Sequence, residues 1–321
     1  MVIDPGVEVA WVDGRFLPRA DLALPVGDAG FVMGATVTEQ LRTFHGRPFL
    51  LPEHLERLAE SLAVVGIEPP LPLADFGSAA EEVAARNHAV LAGAASGGAG
   101  PPPDLGLVVF VTPGDLAAQH GGRGGRPRAM IHTFPLAFTI WADAYEHGVS
   151  LRSVTVRQVP EACWPIRAKV RSRLHYWLAD REAHAAEPGA RGVLAHADGR
   201  ISETSTANVA IVSSGVIHAP PACDALVGVS LGHARRLAAA RGLGWRERSL
   251  TATDLATADE ILLTSTPSCI LPATRFDGQP VGAGTPGPVF RGLLDAWNLD
   301  VDLDIAAQAR AWRGRPARSA S

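Results

Sequence analysis

Five short turn signals cut this chain into strand-sized pieces. Asp13-Gly14, His45-Gly46, Asp198-Gly199, Ser214-Gly215 and Asp277-Gly278 each follow or precede a short run of apolar residues. Asp-Gly, like Asn-Gly, suits the positive φ values of a tight hairpin turn, and such a turn joins antiparallel neighbours only. The pattern therefore predicts hairpins for 7–12 with 15–17, for 192–197 with 200–202, for 208–212 with 216–218, and about a last turn at 276–279. A strand at 36–44 leads into the turn at 45–48, and further strands are predicted at 105–112, 130–134, 149–159 and 260–264. Pro52 to Val65 reads as an amphipathic helix with Leu55, Leu58, Leu62 and Val65 on one stripe. Other helices are predicted at 75–92, 230–241 and 287–296. One more is expected to begin near Lys169 and to run through Leu174, Leu178 and Ala185 as far as Pro188-Gly189. The Ala/Gly/Ser/Pro stretch at 93–103 and the Gly/Arg stretch at 114–128 read as loops, and 306–321 as a frayed tail. Two domains follow, 1–134 and 145–305, joined by a connector at 135–144.

With 321 residues the chain is long enough for both. Its net charge of −4 at pH 7 points to neither nucleic acid nor an anionic membrane as partner. No stretch of 18 uncharged apolar residues occurs, and Met1-Val2-Ile3-Asp4-Pro5 has no secretory pattern. Cys163, Cys223 and Cys269 are scattered without C-x-x-C, which predicts neither disulfides nor a zinc site and fits a reducing cytoplasm. The 11 histidines show no metal-ligand spacing, so no metal is expected.

The basic residues are more informative. Of 29, 28 are Arg, and the one Lys is Lys169. Wherever a positive charge alone is needed, Arg has served. What Arg lacks is a nitrogen that can lose its proton and attack a carbonyl. A deprotonated lysine does both, as the Schiff-base nucleophile. A surface lysine left by chance is the alternative, and composition leaves both open. Arg167, Arg171 and Arg173 lie at offsets −2, +2 and +4. Neighbouring fixed charge disfavours an ammonium group. Basic residues at a helix start also oppose the helix dipole, so an anionic partner is expected there.

Seven fragments and Lys169 then occur in a recognisable order. They are Asp28-Ala29-Gly30-Phe31-x-x-Gly34, Glu39-x-x-Arg42, Phe49-x-x-x-x-His54-Leu55-x-Arg57-Leu58-x-x-Ser61 and Lys169. Gly199-x-x-x-Glu203-x-x-x-x-Asn208, Leu226-x-Gly228-Val229-Ser230 and Ala258-Asp259-Glu260-x-x-x-Thr264-Ser265-Thr266 follow, with Asp277-Gly278 closing the series. Across roughly residues 8–295 the chain resembles the class IV pyridoxal-phosphate aminotransferases. That group includes branched-chain and D-amino acid aminotransferases and aminodeoxychorismate lyase. The resemblance implies an α/β (α+β) chain of fold type IV: a smaller α/β domain, a larger one built around a β-barrel-like sheet, and pyridoxal 5'-phosphate in the cleft between them. It implies Lys169 as the Schiff-base lysine and the catalytic residue. By the same resemblance Glu203 pairs with the pyridine nitrogen, and Arg57, Val229, Ser230 and Thr266 hold the phosphate. Asn208 and Thr206 would lie beneath the ring. A small amino acid or amine and a 2-oxo acid are the implied partners, in a homodimer. A lyase of the aminodeoxychorismate type, or a silent binding protein on the same fold, remains as an alternative.

The match departs from each branch of the family at the substrate side. Branched-chain members carry an aromatic residue five places after the lysine, contacting the ring hydroxyl; here Leu174 stands there. D-amino acid members bind the substrate carboxylate with an Arg and a His, at positions that align with Ala118 and His120. Thr38 replaces the aromatic of the branched-chain pattern, while Arg42 keeps to it. Phe31 stands where the D-amino acid members have Tyr. Phe31, Thr38, Arg42 and His120 are thus the candidate substrate residues, and Arg123, Arg126 or Arg128 is a possible replacement for the missing Arg.

Overall fold

The structure, a computed structural model, describes residues 3–94 and 103–313. Two compact units account for them. The first runs to Ala137 and also takes in Ala168–Ser172, and the second comprises Phe138–Arg167 and the chain from Arg173 onward.

The first unit is a six-stranded antiparallel sheet covered on one face by helices. Its strands are β1 (Val9–Val12), β2 (Arg15–Pro18), β3 (Val37–Phe44), β4 (Arg47–Pro48), β5 (Leu105–Thr112) and β6 (Arg128–Pro135), in the order β2-β1-β6-β5-β3-β4. A single turn of helix, α1 (Ala29–Val32), precedes β3; α2 (Leu51–Val65) and α3 (Leu73–Ala94) form the covering layer. The first hairpin turns as its sequence requires, with Asp13 at φ 48° and Gly14 at φ 88°. Side chains alternate along β3. Val37 and Leu41 join Leu58, Leu62, Phe76, Val83, Leu107 and Ile131 in a buried core, so Glu39 and Thr43 share that face. Thr38, Gln40, Arg42 and Phe44 occupy the other.

The second unit contains a closed ring of strands. Its elements are α4 (Ala144–His147), β7 (Val149–Arg157), α5 (Leu174–Ala186), β8 (Arg191–Ala195), β9 (Ile201–Thr204), β10 (Asn208–Ser213), β11 (Val216–Ala219) and α6 (Val229–Ala240). There follow β12 (Gly244–Glu247), α7 (Ala252–Ala256), β13 (Glu260–Ser265), β14 (Cys269–Phe276), β15 (Gln279–Pro280), α8 (Pro288–Asp300) and α9 (Ile305–Trp312). The path β10-β13-β14-β7-β8-β9 returns to β10 through one residue pair, Glu203 with Asn208. β7 runs parallel to both of its neighbours, and every other pairing in the ring is antiparallel. Helix α5 packs on β7 and β8 through Ala179, Ala183, Val154 and Leu194. It lies so close that a Cβ on Gly192 would meet the Ala179 carbonyl oxygen at 2.8 Å. The α/β domain and the barrel-like sheet implied by the resemblance are both present.

Two expectations need correction. The helix predicted from Lys169 starts only at Leu174. The two units divide between Ala137 and Phe138, inside the connector at 135–144, where Phe138, Trp141 and Ala142 are buried. The predicted tail is helical in its first part: Asp304 caps α9 by accepting from the Ala307 amide, and Ile305, Ala306 and Ala309 are buried. The rest of that tail, 314–321, and most of the predicted loop at 93–103 lie outside the described residues. No described helix is long and apolar enough to cross a membrane.

Candidate active site

Residues 169–171 of the first unit form a short extended segment beside the start of β3. Val170 bridges Val37 in antiparallel register. The Lys169 carbonyl accepts from the Thr38 amide at 3.0 Å, and the Arg171 amide donates to the Thr36 carbonyl at 2.9 Å. The Lys169 amide donates to Ser61 Oγ on α2 at 3.1 Å. Both backbone groups of the lysine are therefore pinned, and an extended conformation is forced by non-local partners. Val170 packs into the core. Period-two alternation then sends Lys169 and Arg171 to the opposite face, the face of Thr38 and its cross-strand partner Phe110. The Arg171 guanidinium lies over the Phe110 ring, 5.4 Å from its centroid. Ahead of β3 the glycines of the first fragment are sterically required. A Cβ on Gly30 would meet Thr112 Cγ2 at 2.5 Å, and one on Gly34 (φ 67°) would meet Ser172 Oγ at 2.6 Å.

Arg57 and His54, one helical turn apart on α2, converge on Glu39 of β3. Arg57 forks onto both carboxylate oxygens, Nε to Oε1 at 2.8 Å and Nη2 to Oε2 at 2.7 Å. His54 Nδ1 donates to Oε2 at 2.7 Å. Burial pushes the Glu39 carboxyl up, yet the Arg57 charge and the hydrogen bonds from Arg57 and His54 outweigh it and hold the pKa at about 2. Burial depresses the His54 pKa, against the pull of Glu39. The neutral ring with its proton on Nδ1 fits a partner that only accepts. A carboxyl depressed from its ordinary 4.5 adds stability that is complete above that pH and disappears as pH falls towards about 2. Wild-type stability, measured as urea midpoints across this window, should fall with a slope that Glu39→Gln lacks. Parallel curves for the two proteins would show that Glu39 does not carry the acid sensitivity.

In the second unit Glu203 is half of the pair that closes the strand ring. Tyr176 Oη donates to Glu203 Oε1 at 2.6 Å, and Asn208 Nδ2 reaches Oε2 at 3.4 Å. The same amide of Asn208 donates to the Leu226 carbonyl at 2.7 Å. Its Oδ1 sits where a Cβ on Gly228 would fall, at 1.9 Å, so residue 228 must be glycine. Helix α6 follows with Gly228 as N-cap. It has no side-chain cap and no acidic residue in its first turn, and Ser230 is buried there. Thr266 lies in the turn between β13 and β14, and nearby Thr264 Oγ1 is buried without a hydrogen-bond partner. Uncapped helix N–H groups, hydroxyls and a buried carboxylate suit a ligand with a phosphate and a basic ring nitrogen.

Sequence reasoning missed Tyr176. The chain has only two tyrosines, a usable signal, and both phenols are bonded: Tyr145 to the Ser268 carbonyl, Tyr176 to Glu203. Starting the helix at Lys169 hid its place, because the true start puts Tyr176 in the first turn of α5 while Leu174 is 69% exposed. It also removes the dipole argument for Arg167 and Arg171, which lie outside any helix.

The four substrate candidates all lie in the first unit. Phe31 on α1 is 68% exposed. Thr38 Oγ1 donates to the Val109 carbonyl. Arg42 is only 1% exposed; it stacks 4.2 Å from the Phe44 centroid and donates to the Thr43 carbonyl. The His120 ring lies against Gly27, where a Cβ would meet it at 2.6 Å. Arg128 is drawn off by carboxylates, forking onto Asp115 at 2.9 and 3.0 Å and approaching Asp28 at 3.4 Å. Asp28 in turn caps α1 through the Gly30 amide. Arg123 and Arg126 are exposed.

Comparison with known proteins adds to this geometry. The profile of the amino-transferase class IV family matches residues 36–276. D-alanine aminotransferase of Bacillus licheniformis is 28% identical, over 88% of this chain and 94% of its own. A putative branched-chain-amino-acid aminotransferase of Methanocaldococcus jannaschii is 26% identical, over 91% and 98%. Among solved structures, the branched-chain amino acid aminotransferase of Escherichia coli superposes with a TM-score of 0.80 at 24% identity, covering 91% of this chain and 93% of that one. That of the archaeon Thermoproteus uzoniensis, solved with norvaline, gives 0.79 at 23% identity, covering 92% and 95%.

Proposed function

Because the chain belongs to the class IV aminotransferases, we propose that it attaches pyridoxal 5'-phosphate to Lys169 and moves an amino group between a small amino acid or amine and a 2-oxo acid. The observation that carries this reading is the lysine itself. It is the sole lysine of the chain, and its backbone amide and carbonyl are pinned by Ser61 and Thr38. When bound, the cofactor supplies a carbonyl for the amine and a ring that takes up electrons from the substrate carbon.

The residues divide the remaining work. Lys169 would hold the cofactor through its amine and, as the free amine, would take the proton from the substrate carbon and return it to the cofactor carbon that had held the lysine. Glu203 keeps a proton on the ring nitrogen. Arg57, the amides of Val229 and Ser230 at the start of α6, and the Ser230 and Thr266 hydroxyls bind the phosphate. Glu39 and His54 set the orientation of Arg57, and Asn208 holds the turn that precedes α6. A homodimer completes the proposal, with a mass near twice 33.7 kDa in light scattering.

The reaction is tested on purified protein with a panel of amino donors and pyruvate or 2-oxoglutarate. Transfer that requires the 2-oxo acid supports the reading. Release of pyruvate from an aminodeoxychorismate-type substrate without any acceptor would replace it with the lyase. Arg171 is the proposed contact for the substrate carboxylate, because it lies two residues from Lys169 with its guanidinium over the Phe110 ring. Losing a charge-assisted contact costs ~1.5–3 kcal/mol, or roughly ten- to a hundredfold in affinity. Arg171→Gln should raise KM for the acid by that factor with cofactor content unchanged; an unaltered KM would move the contact elsewhere.

A further inference from the structure

The structure assigns to Tyr176 the role of positioning residue for Glu203, fixing the carboxylate that meets the ring nitrogen; this rests on the cofactor reading above. The hydrogen bond between them is 2.6 Å, in the short range for a hydroxyl on a carboxylate. A phenol has one proton to give, and here it is given to Oε1. Gln158 Nε2 approaches the acceptor side of the same phenol at 3.4 Å and donates to Ser202 Oγ at 2.9 Å, one residue before Glu203.

The ring of Tyr176 is held as well. His175 stacks with it, centroids 4.0 Å apart, and the Arg173 guanidinium lies 4.8 Å from its centroid. Arg173 is itself anchored on the Ser205 carbonyl. Burial and then the Glu203 charge raise the phenol pKa well above its ordinary value, so it remains a donor throughout the working pH range. Burial and Arg173 hold His175 down at about 4, so the stacked ring is neutral. Oε1 is consequently held by Tyr176, which fixes the plane of the carboxylate and with it the direction of Oε2, where Asn208 Nδ2 lies at 3.4 Å. Without the phenol the carboxylate loses a 2.6 Å hydrogen bond that opposes rotation about its last torsion.

Tyr176→Phe removes the donor and keeps the ring. The full-length apoprotein is titrated with pyridoxal 5'-phosphate and with the analogue that has carbon in place of the ring nitrogen, and dissociation constants are read from absorbance. Wild type is expected to prefer the natural cofactor, and Tyr176→Phe to narrow that preference by about tenfold. The variant's kcat should fall while KM for the amino donor stays the same. An undiminished preference in Tyr176→Phe, or equal loss of affinity for both ligands, overturns the positioning role. A wild type without any preference overturns instead the pairing of Glu203 with the ring nitrogen, so the two failures are distinct.

Discussion

Lys169→Arg should leave cofactor binding in place and reduce turnover by at least about four orders of magnitude, ~5.5 kcal/mol in barrier. Arg keeps the positive charge and the length of the side chain. It does not lose its proton, so it neither attaches a carbonyl nor carries a proton between atoms. The fold has little reason to change. Lys169 is tied through its backbone to Thr38 and Ser61, and these bonds are indifferent to the side chain. Borohydride treatment of wild type should add the cofactor's mass to the peptide that contains Lys169 and to no other, and the variant should gain none. Normal turnover in Lys169→Arg would remove both the attachment site and the proposed reaction.

Glu203→Gln should lower kcat by at least about two orders of magnitude, ~2.7 kcal/mol, with the cofactor retained. The amide has the shape of the carboxylate and still accepts from Tyr176 at the position of Oε1. It has no charge with which to keep the ring nitrogen protonated, and the electron-accepting capacity of the ring depends on that proton. Steady-state kinetics on the best donor, with an absorbance check of cofactor content, decide the matter. Unchanged kcat at full occupancy would take Glu203 out of the chemistry.

What the sequence made legible was local or chemically unique. Asp13-Gly14 and Asp277-Gly278 specify their turns within two residues, and the structure gives them the positive φ values they suit. Lys169 was legible because a chain of arginines leaves one amine to consider. The conformation around it was not legible. Arg-Ala-Lys-Val-Arg is compatible with a helix, and Thr36, Thr38 and Ser61, over a hundred positions earlier, draw its Val170 into an isolated bridge with β3 instead. The fork of Arg57 on Glu39 was hidden for the same reason, as it spans a strand and a helix. Tyr176 was overlooked because its relation to Glu203 depends on where α5 begins. Helix α9 was misread as tail because its Ala/Arg composition conceals the small stripe of Ile305, Ala306 and Ala309.

The single rung that closes the strand ring has a consequence for how this unit opens. Between β9 and β10 the strand pairing is one residue pair, Glu203 with Asn208, and the 204–207 turn that joins them adds the bond from the Thr204 amide to the Ala207 carbonyl. The side chains of Glu203 and Asn208 also carry proposed ligand contacts. Occupancy therefore clamps this pairing, adding RT ln(1 + [L]/Kd) to the free energy needed to part it. Amide hydrogen exchange at 203–208 should slow steeply on cofactor loading, while β13 and β14, paired over five residues, change little.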